Sequence, residues 1–222
     1  MAPWREYVNL VKLVRDDGVA SSFSVGGGVV VGPTMRRVKT MANELLEHDH
    51  ELLAQLLHEL ESGLREHNAR QSFELLDLFW ARLAMHIRAE HLWLFPAILN
   101  APRNSFSKGG VPSFEEVALV IEGLRSDHNF FMDELAKAVK TFRLILAANG
   151  GSQDVGNQLD SIRIGVDAIS RRLESHNELE EQHVYEWPGS LLDSVDLEVL
   201  VANLKRELDN LPQRFQAKRN GE

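Results

Sequence analysis

The chain of 222 residues contains no cysteine. This absence excludes disulfides, thiolate-bound zinc, iron–sulfur clusters held by cysteine, and a cysteine nucleophile. A cysteine-free chain is compatible with the reducing cytoplasm, and the mixed, partly charged first residues do not resemble a secretory signal. We therefore expect a cytoplasmic protein.

Positive charge and long apolar runs are also scarce. The 24 Lys and Arg are outnumbered by 33 Asp and Glu, which gives a formal net charge of −9. Because binding to nucleic acid or to an anionic membrane surface depends on Lys and Arg, neither partner is expected. No segment approaches the roughly 20 apolar residues that a membrane span needs.

Apolar residues instead recur every three or four positions in several long segments, the pattern of amphipathic helices. In the first segment, Leu46, His50 and Leu53 begin a series that continues with Leu57 and Leu60. This spacing is typical of the inward-facing seam of a bundle helix. The predicted helices cover residues 34–67, 72–99, 113–148, 153–187 and 196–211.

Residue types at the ends of these segments set their predicted bounds. Ser72 is a candidate N-cap, and Ser113 opens a capping-box sequence. Pro96 is expected to kink or end the second helix, and Pro188 to end the fourth. A Gly-Gly pair at 150–151 separates the third and fourth helices.

These segments predict an all-α fold whose main part is an antiparallel up-down-up-down four-helix bundle. Residues 1–33 are expected to form an irregular N-terminal arm, residues 34–188 the bundle, and residues 189–222 an additional C-terminal helix and tail.

Four histidines fall on the apolar seams, one on each bundle helix, and two of them are followed four residues later by glutamate. Residues i and i+4 lie on one face of a helix. The midpoints of neighbouring histidines fall at or beside the predicted turns, so all four lie at one depth of the bundle. The six candidate metal ligands are His50, His86, Glu90, His128, His176 and Glu180.

A convergence of four imidazoles and two carboxylates indicates a metal site. A single histidine on an apolar face is more often an ordinary core residue, but buried carboxylates are rare unless paired or metal-bound. Imidazole with carboxylate favours first-row metals such as Fe, Mn or Zn. Six ligands are too many for one tetrahedral zinc and suit two ions.

The same residues resemble the hemerythrin-like, or HHE cation-binding, domain family over about residues 35–187. The sequence from His86 to Pro96 resembles the family's second-helix signature, and Asp49-His50 and Asp127-His128 resemble its lone-histidine turns. The resemblance implies a non-heme di-iron centre held by the six candidate ligands, with the two glutamates bridging. Manganese or a mixed Fe/Mn pair remains open.

The sequence departs from the oxygen-carrying hemerythrins at two positions. Met132 stands where those proteins place a second histidine on the third helix, and the last histidine pairs with Glu180 four residues on rather than an aspartate five residues on. The resemblance is therefore to the broader HHE group, which includes responders to iron, oxygen or nitric oxide.

Other histidines have less defined roles. His183 follows Glu180 on the seam and is expected to bind a metal, to orient Glu180, or to lie partly exposed at the bundle end. His48 and His91 lie off the seams, solvated or at helix contacts, and His58 and His67 are predicted at the surface.

Three functions fit this reading. The preferred one binds O2, peroxide or NO at an open iron position, beside an apolar pocket lined by Leu53, Phe79, Leu83, Phe131 and Leu173. The second is a di-iron oxidase or peroxidase for a small substrate, with Tyr185, His183 and Glu181 as candidate proton donors. The third is a metal-stabilised regulatory module that a protein partner or a second copy of the chain recognises and binds.

A ferritin-like carboxylate bundle is the alternative metal fold. Glu47-x-x-His50 and Glu180-x-x-His183 match its Glu-x-x-His string. That fold needs a lone glutamate on the third helix, where this chain has His128, so the hemerythrin-like reading is preferred.

Overall fold

The computed structural model describes residues 41–147 and 154–216, and within these ranges the chain is helical and contains no strand. The predicted N-terminal arm, the Gly-Gly turn and the end of the charged tail lie outside the described residues. None of the helices in the described ranges has the length and apolar character that crossing a bilayer requires.

The α-helices alternate with short segments of other helical types. In chain order the α-helices are α1 (Met41–Arg65), α2 (Ala69–Ala89), α3 (Phe95–Leu99), α4 (Phe114–Ala147), α5 (Asp154–Gln182), α6 (Pro188–Leu191), α7 (Ser194–Leu208) and α8 (Gln213–Gln216). A π-helical segment (Glu90–Leu94) joins α2 to α3, and 3-10 turns occupy Arg103–Ser105 and Val184–Glu186.

The four longest helices pack into a helical bundle. α1 contacts α2 and α5, and α4 contacts the same two helices. α7 packs against α1, α2 and the π segment. The seam residues predicted for α1 are buried along its length, as the four-and-three spacing requires.

The apolar core is divided into two separate clusters. One contains Leu53, Phe79 and Phe131 and fills the part of the bundle nearer the α1–α2 turn. The other contains Leu46 and Phe95 and extends to α7. Between the clusters lies a buried layer of polar side chains, so ionisable groups cross the middle of the bundle.

The start of α2 differs from the prediction. Asn68 rather than Ser72 is the N-cap, and its side-chain oxygen accepts a hydrogen bond from the backbone N–H of Gln71 at 3.2 Å. Ser72 lies within the helix and is fully buried, facing Gly63 of α1. A small residue is needed there because α1 and α2 approach closely, which the sequence pattern alone does not show.

The helical path continues through Pro96 and ends at Leu99, the predicted end of the second helix. The π segment before Pro96 carries the chain onward, and the N–H of Phe95 bonds to the carbonyl of Glu90, five residues back. Pro96 then falls in the first turn of α3, where a missing N–H costs no helical hydrogen bond.

The end of α5 is a second correction. The sequence predicts a continuous helix to Trp187, but α5 ends at Gln182 and His183 has non-helical backbone angles of φ −137° and ψ −61°. Pro188 begins α6 instead of ending a helix. The start of α4 agrees with its capping box, since Ser113 and Glu116 bond each other's backbone and side-chain groups.

Candidate metal centre

The structure brings the six predicted residues together in the polar layer. The Nε2 atoms of His50 and His86 are 3.1 Å apart, and those of His128 and His176 are 3.0 Å apart. All four imidazoles are at most 4% exposed. The layer therefore holds two close pairs of inward-facing ring nitrogens, one from α1 and α2 and one from α4 and α5.

The two glutamates lie between these pairs and are fully buried. Glu90 places one carboxylate oxygen 3.5 Å from His86 Nε2 on its own helix and the other 3.3 Å from His128 Nε2. Glu180 likewise lies 3.3 Å from His176 Nε2 and 3.5 Å from His50 Nε2. Each carboxylate therefore spans from one histidine pair to the other, as a bridging ligand would.

Carboxylates outside the layer orient three of the four rings. The Nδ1 atoms of His86 and His176 donate to Asp49 at 3.0 Å and Asp127 at 3.2 Å. His50 Nδ1 donates to Glu181 at 2.8 Å. When such a ring is neutral, its one N–H is the one donated outward, and its Nε2 lone pair points inward.

Arginines fix the two outer aspartates. Arg82 bonds Asp49, and Arg172 Nε donates to Asp127 at 2.8 Å. Burial by itself would raise the pKa of Asp127, but its bond to His176 and the charges of His176 and Arg172 lower it overall. The aspartates therefore stay ionised and keep the imidazole rings in one orientation.

His91 orients the fourth ring. Its Nε2 lies 2.9 Å from His128 Nδ1. Burial, together with the charges of His128 and Arg125, lowers the pKa of His91 to about 4, so its ring is neutral near pH 7 and can accept the Nδ1–H of His128. Of the two placements expected for His91, the structure shows the helix contact, because the π segment turns this residue toward α4.

Tyr185 enters the layer from the 3-10 turn after α5 and is 1% exposed. Its hydroxyl lies 2.9 Å from Glu90, 3.1 Å from Glu180 and 3.0 Å from His50 Nε2. Burial and the charges of the two glutamates raise the pKa of Tyr185 well above its usual value. The sequence pointed to this residue only as a candidate proton donor, because the end of α5 at Gln182 could not be foreseen.

The layer is built from a repeated pattern. Asp49-His50 on α1 corresponds to Asp127-His128 on α4. Arg82 and His86 on α2 and Glu90 in the π segment follow one another at spacings of four, and Arg172, His176 and Glu180 do the same on α5. The two halves of the bundle therefore contribute equivalent sets of groups, and each aspartate bonds the histidine and the arginine of its own half.

The repeat is broken at two places. One residue after the glutamate stands His91 in the first half and Glu181 in the second; five residues after it stand Phe95 and Tyr185. The ring of Tyr185 lies 5.5 Å from that of His50, and the ring of Phe95 lies 6.1 Å from that of His128. The two halves of the site therefore differ in charge and in one hydroxyl group.

The donor set fits metal ions. The Nε2 atoms of His50 and His86 face each other at 3.1 Å, so a shared proton or a metal ion bound by both would relieve the repulsion between their lone pairs. Burial by itself would lower the pKa of His176, but the charge of Glu180 and hydrogen bonds to Asp127 and Glu180 raise it to about 10, so the site draws in protons when no metal is bound. Buried imidazole and carboxylate together suit first-row metals.

Within the described residues, two groups of donor atoms are close enough to hold an ion each. One consists of Glu90, His128, His176 and Glu180; the other consists of His50, His86 and Glu180. Glu180 belongs to both groups, so two ions there would share it.

His183 belongs to neither group, because the chain leaves the helical path at that residue. His48, His58 and His67 are exposed, as predicted. Met132 packs against the apolar cluster that contains Leu53. That cluster also contains the five apolar residues predicted beside the site, namely Leu53, Phe79, Leu83, Phe131 and Leu173.

Comparison with known proteins bears on the same region. No curated protein and no solved structure matches the chain. A family model described as the hemerythrin HHE cation-binding domain matches residues 41–187, a range that includes all four inward-facing histidines and both buried glutamates. The match covers well over half of the chain and ends just before α6. The chain belongs to the hemerythrin HHE cation-binding domain family.

Proposed function

We propose that this protein holds two iron ions in the polar layer and binds O2, peroxide or NO at an open metal position, for sensing, storage or detoxification. The carrying observation is that two groups of buried donor atoms meet at one shared carboxylate, Glu180. The proposed metal ligands are His50, His86, Glu90, His128, His176 and Glu180. Manganese in one or both positions is compatible with the same donors.

The proposal assigns each group a role. Iron, when bound, supplies the redox chemistry and the affinity for small ligands. The four imidazoles offer neutral nitrogen donors that Asp49, Asp127, Glu181 and His91 hold in place. The apolar clusters on either side exclude water and favour small uncharged ligands over charged ones.

The proposed architecture is an antiparallel up-down-up-down four-helix bundle made of α1, α2, α4 and α5. Residues 34–188 would form the metal-binding bundle, and the C-terminal helix α7 would be an addition to it. The contacts among the four long helices and the contacts of α7 with α1 and α2 support this proposal.

Metal analysis of the purified protein tests the site. We expect two irons per chain in the wild type and a lower content in His128→Ala, which loses an inward donor. His58→Ala is the matched control, because His58 is an exposed histidine on α1. Iron content equal in all three proteins would contradict the assigned ligands.

Stopped-flow absorption of the ferrous protein mixed with O2 or NO tests the function. Binding at an open iron position should produce a new charge-transfer band whose rate depends on ligand concentration. If two irons are bound and no band appears with either gas, the proposed ligand binding is wrong.

A groove between α1 and α5 favours oxidase or peroxidase activity as a second candidate. This groove has a volume of about 530 Å³ and is lined by residues that include His58, Glu61, Asn177 and Glu181. Glu181 is 39% exposed and also accepts the hydrogen bond of His50, so it connects solvent to the layer. Sustained consumption of hydrogen peroxide by the iron-loaded protein would favour this class, and an unreactive mixture would count against it.

A further inference from the structure

The hydroxyl of Tyr185 lies among four polar atoms, more than its single hydrogen can serve. Four donor atoms surround it: Glu90 at 2.9 Å, His50 Nε2 at 3.0 Å, Glu180 at 3.1 Å and His86 Nε2 at 3.4 Å. A phenol has one hydrogen to donate, and when each ring is neutral with its hydrogen on Nδ1, the Nε2 atoms of His50 and His86 present lone pairs to the hydroxyl. Most of these close approaches therefore bring one lone pair against another.

The distances match those between neighbouring ligands of one metal ion. Two donor atoms that each lie about 2.1 Å from an octahedral ion, at right angles, are roughly 3.0 Å apart. Three of the four distances from the Tyr185 hydroxyl lie within 0.1 Å of that value. The same test applies to the His50–His86 pair, whose Nε2 atoms are 3.1 Å apart.

We propose that Tyr185 is itself a metal ligand, binding as a phenolate at the position held by His50 and His86. This inference rests on the proposed function, since it concerns the iron that the layer is proposed to hold. Phenolate oxygen is a hard donor suited to ferric iron, and the phenol proton leaves to solvent as the metal binds, as for other ligands that bind deprotonated.

Because the repeat is broken at Tyr185, the two halves of the site would offer different numbers of protein ligands. The position equivalent to Tyr185 in the other half is Phe95, which brings a ring but no oxygen toward His128. The His50–His86 position thus receives an extra protein ligand, and the His128–His176 position does not. The small ligand would therefore bind at the His128–His176 position, beside Phe95.

Spectroscopy of the ferric, iron-loaded protein tests the proposal. A phenolate ligand gives a visible phenolate-to-iron charge-transfer band, and excitation into this band enhances the ring vibrations of the bound tyrosine in the Raman spectrum. The chain contains two tyrosines, Tyr7 and Tyr185. We expect the band and the ring modes in the wild type and in the matched control Tyr7→Phe, and their loss in Tyr185→Phe.

A labelled sample makes the result independent of the folding of Tyr185→Phe. In Tyr7→Phe grown with ring-deuterated tyrosine, Tyr185 is the one labelled ring, and a shift of the enhanced modes assigns them to it. Iron-loaded protein without phenolate modes, or with modes that persist in Tyr185→Phe, would overturn this inference alone. A protein that binds no iron would overturn the proposed function and this inference with it.

Discussion

Each inward-facing imidazole is controlled by the group on its outer nitrogen. Three rings donate to carboxylates, and the ring of His128 donates to the neutral imidazole of His91. A carboxylate partner makes the ring a stronger electron donor than an imidazole partner does. The His128–His176 position, where one ring lacks such a partner, therefore has a different donor strength from the His50–His86 position.

Removing the charge of Asp127 should weaken metal binding without touching a ligand. Asp127→Asn keeps the shape of the side chain but loses the ion pair with Arg172 and the anionic acceptor of His176. Loss of such a partner typically costs about 10- to 100-fold in metal affinity. Competition against a chelator of known affinity measures the change. Asp133→Asn, an exposed aspartate on α4, is the control and should bind as the wild type does; equal affinities for both variants would refute the role.

Phe95 offers a test of which of the two proposed iron positions is open. Phe95→Tyr adds a hydroxyl on the side of His128, at the place that repeats the location of Tyr185. We expect it to take up or crowd the open position and to lower the affinity for NO by about tenfold or more, which corresponds to at least about 1.4 kcal/mol. NO titration of the ferrous protein gives the affinity, with the half-buried Phe114→Tyr as control. Unchanged affinity in Phe95→Tyr would place the ligand elsewhere.

At the scale of elements, departures from regular α-helix position two of the groups that differ between the halves. The π segment turns His91 toward His128, and the break after Gln182 lets Tyr185 reach back into the layer. A regular helix through either region would carry these side chains along its own face instead. The irregular segments are therefore part of how the site is built.

The helix α7 lies beyond the family match, which ends at residue 187, yet it covers one end of the core. Leu204 is fully buried in the cluster that contains Leu46 and Phe95. We expect Leu204→Ala to destabilise the protein by about 2–5 kcal/mol, because it removes a packed side chain and leaves a cavity. Val199→Ala on the same helix is the control, since Val199 is 55% exposed. Chemical unfolding of both variants measures the difference, and similar stabilities would show that α7 packs only loosely.

The sequence predicts the seam residues well because their burial depends on a regular period. His50, His86, His128 and His176 come together as the three-and-four spacing requires. The contributions of His91 and Tyr185 could not be predicted, since each depends on a local break in the helix that no single-residue propensity reveals. The burial of Ser72 could not be predicted either. Its residue type suggests an N-cap, but it is buried because Gly63 lets two helices approach closely.

At the scale of the whole molecule, the buried polar layer makes stability depend on what compensates its charges. Two fully buried carboxylates and four imidazoles must be compensated by protons or by metal. Metal binding to the folded chain stabilises it by about 4 kcal/mol at a free metal concentration 1,000 times the Kd. Removal of metal by a chelator should therefore lower the Tm, by roughly 10 °C for a chain of this size. Differential scanning calorimetry measures the shift; identical Tm values with and without metal would contradict it.

The metal-free protein should lose stability as the pH rises. Because the pKa of His176 is raised to about 10, the folded chain keeps a proton that the unfolded chain releases above its ordinary value of 6.5. This contribution is fully present below pH 6.5 and is lost as the pH rises through about 10. Thermal melting of the metal-free protein across this range should show a falling Tm, and the fall should be smaller in His176→Gln. A Tm that rises across this range would contradict the assignment.

The division of the core into two clusters has a consequence for how the protein unfolds. Each cluster packs its own side chains. The polar layer between the clusters is stable in the interior only when protons or metal ions compensate its carboxylates. With metal bound, the six side chains that we propose as ligands would join four helices, and the two clusters should unfold together in one cooperative transition. Without metal, each cluster can lose its structure separately, so the sharpness of the unfolding transition becomes a measure of how much of the protein carries its metal.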